Sequence, residues 1–343
     1  MTTLTEAQIL AISVPELMFT GEIATAKAEY RKLASKWHTD TNPGVNPKVI
    51  SHINMLYDLA VKKLTSGDWV IPGLFQFETV QGKKFQLKYR RKHDIDLGEM
   101  YVGDNFVVFS VFKTDSDLVE TAKKIINEFQ YPNDKMRDEM SRFLPSVHDC
   151  HETSDRHVLL VKKTSDVFLL RDVIDHFGGK LDPKHAAWVI SRLYNLACYL
   201  KFSGLVHCGI SPMSVFISPK YHSGLLLGDW WYTTKVKQQM VALPSTTINL
   251  LTDSELKAKE AKFSFDLEAI RAIGREMLGD RHGSKLLMDK SLPKALVAWA
   301  RSPATGDAFK EYDYWQSTVL IESFGKRKFV ELDLSSSDIY KGA

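Results

Sequence analysis

The chain has 343 residues, 44% hydrophobic and 25% charged, with a net charge of +3. That length suggests two or three domains, and the balance is that of a globular protein that buries its core without disulfides or metals. So small a charge is no argument for nucleic acid, and Cys150, Cys198 and Cys208, with no Cys-x-x-Cys pairing, fit free thiols in a reducing compartment. The N-terminus lacks a basic n-region and an apolar core, and the run Phe106–Phe112 is far below the roughly 18 residues of a membrane span. The expectation is a cytoplasmic protein without a membrane segment.

Ala26, Tyr30, Leu33 and Trp37 recur at helical spacing and form one apolar face. Lys27 and Arg31, then Lys32 and Lys36, stand four apart and give this helix a basic flank. His38-Thr-Asp-Thr-Asn-Pro-Gly is loop chemistry, so the helix ends near Trp37. Asn46 then reads as an N-cap with Pro47 at the first helical position, and Gly67 as a C-terminal stop. Val49, Ile53, Leu56, Ala60 and Leu64 supply the second stripe, and the two helices make a hairpin.

The stretch Tyr30–Gly44, Tyr-Arg-Lys-Leu-Ala-Ser-Lys-Trp-His-Thr-Asp-Thr-Asn-Pro-Gly, resembles the second helix and loop of a J domain (DnaJ-like). The similarity covers roughly residues 15–67. It implies docking of a DnaK-type chaperone through His38, Asp40, Lys27, Arg31, Lys32 and Lys36. Thr39 stands where that family has proline, which leaves the loop freer and raises the ordering cost of docking. The alternative is a helical hairpin whose charges are merely solvated.

Beyond a turn-rich junction at Asp68–Gly73, Lys84–Arg91 alternates apolar and polar residues as a half-buried strand does. Gly103-Asp104 marks a hairpin turn, followed by the β-rich run Phe106–Lys113. Leu118–Phe129 and Asp134–Leu144 read as helices, and His157–Val161 as a buried strand, with Lys162–Asp166 as a hinge. Asp182-Pro183 starts a long helix with the stripe Ala186, Val189, Ile190, Leu193, Ala197 and Leu200, ending at Gly204. Next come a loop, an apolar strand, a turn at His222–Gly224 and a second strand ending at Asp229. Leu243–Glu260 is polar and irregular. Phe263–Gly279, Leu292–Ala300 and Tyr312–Phe324 read as helices, and the Ser-rich residues after Leu334 as a mobile tail.

Leu-Val-His-Cys-Gly-Ile-Ser-Pro-Met-Ser from Leu205, with Leu-Leu-Leu-Gly-Asp-Trp-Trp ending at Trp231, resembles the catalytic loop and metal-binding strand of the protein-kinase-like fold. The resemblance spans about residues 84–331, and His207, Ile210, Pro212 and Asp229 match its frame. It implies that Lys113 pairs nucleotide phosphates, that Glu139 (or Glu128) holds that lysine, that Gly98 belongs to the phosphate-covering loop, and that Asp229 binds the metal of ATP with Mg²⁺. It also implies that His207, Asp266 and Gly274 are structural. Lys113 could equally be a strand-end lysine reaching water. The chemical positions depart from the pattern: Gly209 replaces the catalytic Asp, Ser211 the phosphate lysine and Ser214 the second metal-binding residue. Loss of the general base alone costs ~10²–10⁴ in rate, so the expectation is a pseudokinase.

The fold expected is therefore α+β. It comprises a J-like helical domain over 1–67, a kinase-like small lobe over 68–163, a mainly helical large lobe over 164–334 and a tail over 335–343. The function expected is a co-chaperone-like adaptor that brings a DnaK-type chaperone to a protein client, without specific nucleic acid or membrane partners. Alternatives are an atypical kinase-like enzyme or ATP-binding regulator, and a purely structural interaction module.

Overall fold

A computed structural model of the chain describes residues 4–39, 42–66, 69, 71, 73–326 and 329–340. The architecture mixes helices and strands. It divides into two compact units, one holding residues up to 77 together with 84–89, the other holding 78–83 and the chain from 90 onward.

The first unit starts with α1 (Glu6–Leu10), which a capping box closes: the Gln8 N–H donates to Thr5 Oγ1 and the Gln8 side chain accepts from the Thr5 N–H. A short 3₁₀ turn, Pro15–Leu17, leads to α2 (Ile23–Trp37) and α3 (Pro47–Ser66). Asn46 caps α3, its Oδ1 accepting from the Lys48 N–H at 3.0 Å. The apolar stripes meet in a core of Ile9, Phe19, Ala26, Trp37, Val49, Ile53, Leu56 and Ala60. Tyr30 stacks on Tyr57 at 4.1 Å between centroids. Lys63 ion-pairs with the buried Glu16, tying the 3₁₀ turn to α3. Strands β1 (Leu74–Glu78) and β2 (Lys84–Lys88) form a separate two-stranded sheet. The strand expected over Lys84–Arg91 is thus two, broken before β3 (Arg91–Ile95).

In the second unit β3, β4 (Gly98–Val102) and β5 (Phe106–Phe112) form an antiparallel meander. After α4 (Ser116–Asn127) and α5 (Asp134–Met140), β6 (Val147–Glu152) and β7 (Arg156–Lys162) complete a sheet of order β3-β4-β5-β7-β6. Position follows composition. Phe-Val-Val-Phe-Ser-Val-Phe of β5 is almost wholly buried and lies central, whereas the polar β3 and β6 lie at the edges.

The two-residue β8 (Phe168–Leu169) runs into α6 (Leu170–His176), and α7 (Pro183–Phe202) follows. Asp182 caps α7, with its Oδ1 accepting the Lys184 N–H at 2.8 Å. Then come β9 (Leu205–Val206), β10 (Val215–Ser218), β11 (Ser223–Leu226) and β12 (Thr234–Lys235). The turn between β10 and β11 closes at His222, so Gly224 is a strand residue. A Cβ there would lie 2.8 Å from Arg192 Cβ, so the glycine lets α7 seat against β11.

The segment expected to be irregular holds two short helices, α8 (Ser245–Ile248) and α9 (Asp253–Ala258). Next are α10 (Phe263–Met277), α11 (Lys294–Arg301) and α12 (Ala308–Tyr314). The last of these continues through a π turn, Trp315–Val319, into α13 (Leu320–Phe324). One apolar core runs from Met100 to Tyr340. Across α7, α10, α11 and α12 lies a buried polar network. Arg271 Nη2 donates to Glu311 Oε2 at 2.5 Å and Nη1 to the Trp299 carbonyl, while the Tyr194 hydroxyl donates to Glu311 at 3.0 Å.

Residues 335–340, expected to be mobile, fold into α14 (Ser336–Ile339) and dock against α6. Ile339 and Tyr340 are buried, and Tyr340 lies over Phe168. Arg91 reaches both the Ile339 carbonyl and the buried carboxylate of Asp172, which His93 also meets at 2.9 Å. The serine-rich composition concealed two apolar anchors at its far end. Among the described residues no helix is long and apolar enough to cross a membrane.

Candidate functional site

The loop between β9 and β10 is held from below and stitched from within. Asp266, near the start of α10, accepts the His207 N–H at 2.8 Å and the Cys208 N–H at 2.9 Å. Thr247 Oγ1 donates to the Cys208 carbonyl at 2.7 Å. These bonds hold Cys208 at φ 59°, a region L-residues seldom occupy. The His207 ring uses both nitrogens: Nε2 lies 3.1 Å from the Gly228 carbonyl, and Nδ1 accepts the Gly209 N–H at 3.2 Å. That pattern defines the neutral Nε2–H tautomer. Burial holds the imidazole down to about 3. Burial also raises Asp266 to about 7, against the two N–H bonds that lower it, and raises the Cys208 thiol.

Ser211 and Ser214 are both committed to the loop itself. Ser211 Oγ accepts the Met213 N–H at 3.1 Å. Ser214 Oγ accepts the Ser211 N–H at 2.9 Å and donates to the Gly209 carbonyl at 2.8 Å. Both side chains are buried. Gly209 is closed off more firmly: a Cβ there would lie 2.8 Å from Asp229 Cβ and 3.1 Å from Tyr232 Cδ2.

Asp229 follows β11 at φ 63° and starts a 3₁₀ turn, Trp230–Tyr232. Burial, then the nearby carboxylate of Asp96, pushes it up to about 7. Asp96 lies in the β3–β4 turn and accepts the Ser245 N–H at 2.9 Å, joining that turn to α8. The two tryptophans fill the surroundings. Trp230 packs edge-on to His207 and to Phe129, and its Nε1 donates to the Leu226 carbonyl at 2.9 Å. Trp231 meets Phe109 of β5 edge-on at 5.3 Å.

Lys113 follows β5 and ion-pairs with Glu152 Oε1 at 2.5 Å, both groups largely exposed. The pairing expected with Glu139 or Glu128 does not form: Glu139 is an exposed residue of α5, and Glu128 is the exposed C-cap of α4. Register explains the outcome. Phe112 opposes Arg156 and Glu152 opposes His157, so Lys113 and Glu152 meet at the same end of β7. Gly98 opens β4 at φ 145°, and a Cβ there would lie 2.1 Å from the Ser110 carbonyl. Its glycine is thus required by the close pairing of β4 with β5. Gly274 sits under the Trp299 ring, where a Cβ would come within 2.7 Å. Among the described residues no cluster of three or more His, Cys, Asp or Glu is placed to hold a metal ion.

In the first unit Lys27, Arg31, Lys32 and Lys36 are all exposed along α2, in two rows either side of its outward face. Lys36 Nζ lies 5.0 Å over the Trp37 ring. The loop after α2 is tied back: the Asn42 N–H donates to the His38 carbonyl at 2.9 Å and Asn42 Nδ2 to the Lys36 carbonyl at 2.7 Å. His38 is exposed, and Asp40 lies outside the described residues, as does Gly67.

Sequence reasoning missed Glu152 and Asp96. Neither carries a motif; each becomes a site residue only through strand register and turn position. No protein-family model matches the chain, and no curated protein matches it.

Proposed function

We infer that this protein is a binding protein, an adaptor that works without phosphoryl transfer. The observation that carries this is the closed position of Gly209, where a side chain would displace Asp229 and press on Tyr232. Three further contacts support it. The hydroxyls of Ser211 and Ser214 are spent on the loop, Lys113 is paired at the sheet edge, and Trp231 rests on Phe109. A donor set reduced to Asp229 and Asp96 does not fit ATP with Mg²⁺ in the manner of a kinase-like site, which needs a base, a phosphate cation and two metal ligands.

In this reading the kinase-like body holds a protein client. The exposed basic rows of α2, with His38 and Asp40, recruit a DnaK-type chaperone by charge complementarity. The test is ATPase stimulation of a DnaK-type chaperone by the full chain. Wild type raises the rate, while Lys32→Glu and Asp40→Asn lower the stimulation. Absence of stimulation by wild type removes the co-chaperone reading and leaves the purely structural module. Thermal unfolding with ATP and Mg²⁺ tests the ATP-binding alternative: ligand at ~100 times its dissociation constant adds ~2.7 kcal/mol, and the adaptor reading expects no shift.

A further inference from the structure

A cavity of about 500 Å³ opens between α7, the β10–β11 turn and the segment that follows α13. Its size is that of a small-molecule site. One wall is a stack of three rings. His222 lies parallel to Trp188 at 4.7 Å and 3° on one side, and to Phe329 at 4.3 Å and 15° on the other.

The charge lining this space has one sign. Lys184, Arg192 and Lys326 border it, and no carboxylate does among the described residues. The one hydrogen bond of Arg192 among those residues runs from Nε to the His222 carbonyl at 2.6 Å. That bond fixes the guanidinium while leaving both Nη groups to meet a ligand. His222 registers the local field: burial first, then the neighbouring His185 and Arg192, hold its imidazole below the ordinary range. Like charges gathered around a concave, ring-lined space repel one another until an anion enters. Phe329 is 75% exposed yet stacked, so its platform on His222 is one that a flat ring can share or take.

We propose that this cavity binds a planar aromatic anion, a fused or single ring carrying a phosphate or carboxylate, with the ring on the Trp188–His222–Phe329 wall and the anion on Arg192, Lys184 and Lys326. The site is separate from the loop around Asp229 and does not depend on the adaptor reading.

The experiment is isothermal titration calorimetry on the full chain with three probes: naphthyl phosphate, naphthol and inorganic phosphate. Naphthyl phosphate binds saturably at one site. Naphthol and phosphate alone each bind at least about tenfold more weakly, because each satisfies half of the site. Arg192→Gln weakens naphthyl phosphate by about tenfold, and so does the double variant Lys184→Gln with Lys326→Gln. The double variant changes only exposed side chains, so it decides the matter even where Arg192→Gln disturbs the fold. Lys113→Ala and Asp229→Asn leave the affinity unchanged. No saturable heat with the native protein, equal affinity for naphthol, or unchanged affinity in the double variant overturns the proposal.

Discussion

Replacing Gly209 tests whether the loop can seat a side chain beside Asp229. The backbone at Gly209 is not in the left-handed region, so the perturbation is purely one of space. A Cβ would meet Asp229 Cβ at 2.8 Å and Tyr232 Cδ2 at 3.1 Å, and neither is the loose end of a flexible chain. Asp229 is fixed at φ 63° and Tyr232 is buried, so the loop must shift as a body. Overpacking of this kind costs ~1–3 kcal/mol. The smaller entropy of the unfolded alanine chain returns ~0.4–1 kcal/mol. The net expectation for Gly209→Ala is a loss of ~1–2 kcal/mol, or ~2–8 °C in the midpoint of a unit this size. Gly209→Asp loses more, because it adds a carboxylate beside Asp229 and Asp96 in a desolvated place. Gly44→Ala is the control: nothing lies within 4 Å of a Cβ there, and no loss is expected. Urea unfolding followed by tryptophan fluorescence reads all three, with phosphoryl transfer from ATP and Mg²⁺ measured in parallel. An unchanged midpoint for Gly209→Ala refutes the packing argument. A stable Gly209→Asp that transfers phosphate refutes the adaptor reading itself.

Glu311→Ala strips the buried Arg271 of its partner and is expected to cost ~3–5 kcal/mol; adding Arg271→Met should recover part of that, and a double variant no better than the sum of the two would argue against a shared network. His207 gives the pH dependence. Its folded pKa of about 3 lies below the unfolded ~6.5, so unfolding takes up a proton between those values. Its contribution is therefore complete above pH ~6.5 and is lost as pH falls towards 3. Asp266, raised to about 7, works with the opposite sign, losing stability as pH rises from ~3.9 to 7. The clean readout is the difference between wild type and His207→Gln: the variant's stability should fall less steeply in acid, by up to ~1.4 kcal/mol per pH unit. Parallel curves would show that the ring does not titrate as its burial demands. For the docked tail, Tyr340→Ala should cost ~3 kcal/mol and make residues 335–340 the first site of limited proteolysis; early cleavage there in wild type would show that α14 is not anchored.

Helices α3 and α7 were legible because each carried two independent signals. The stripe of α3 came with an Asn46 cap and Pro47, and that of α7 with Asp182 and Pro183, and both caps make their bonds. The edge strand β6 was not legible. Val-His-Asp-Cys-His-Glu pairs on one side only and is half exposed, so it needs no apolar alternation. Losing that strand also lost Glu152, and with it the true partner of Lys113. Composition names which groups can pair, but register chooses among them. At the loop the sequence offers residue type alone: Gly209, Ser211 and Ser214 carry no charge. That both serine hydroxyls are consumed by backbone groups follows only from the fold.

Asp266 and His207 have a structural role that requires no reaction. Cys208 and Asp229 both sit at positive φ, a strain of order 1–3 kcal/mol each. Asp266 offsets part of it at Cys208 by accepting two N–H groups, and the His207 ring links the Gly209 N–H to the Gly228 carbonyl beside Asp229. Removing either anchor would release the turn that seats Trp230 and Trp231 against Phe129 and Phe109. Asp266 and His207 therefore hold an aromatic closure. This part of the loop is the fastening for that closure, which joins the sheet to the helices in one core.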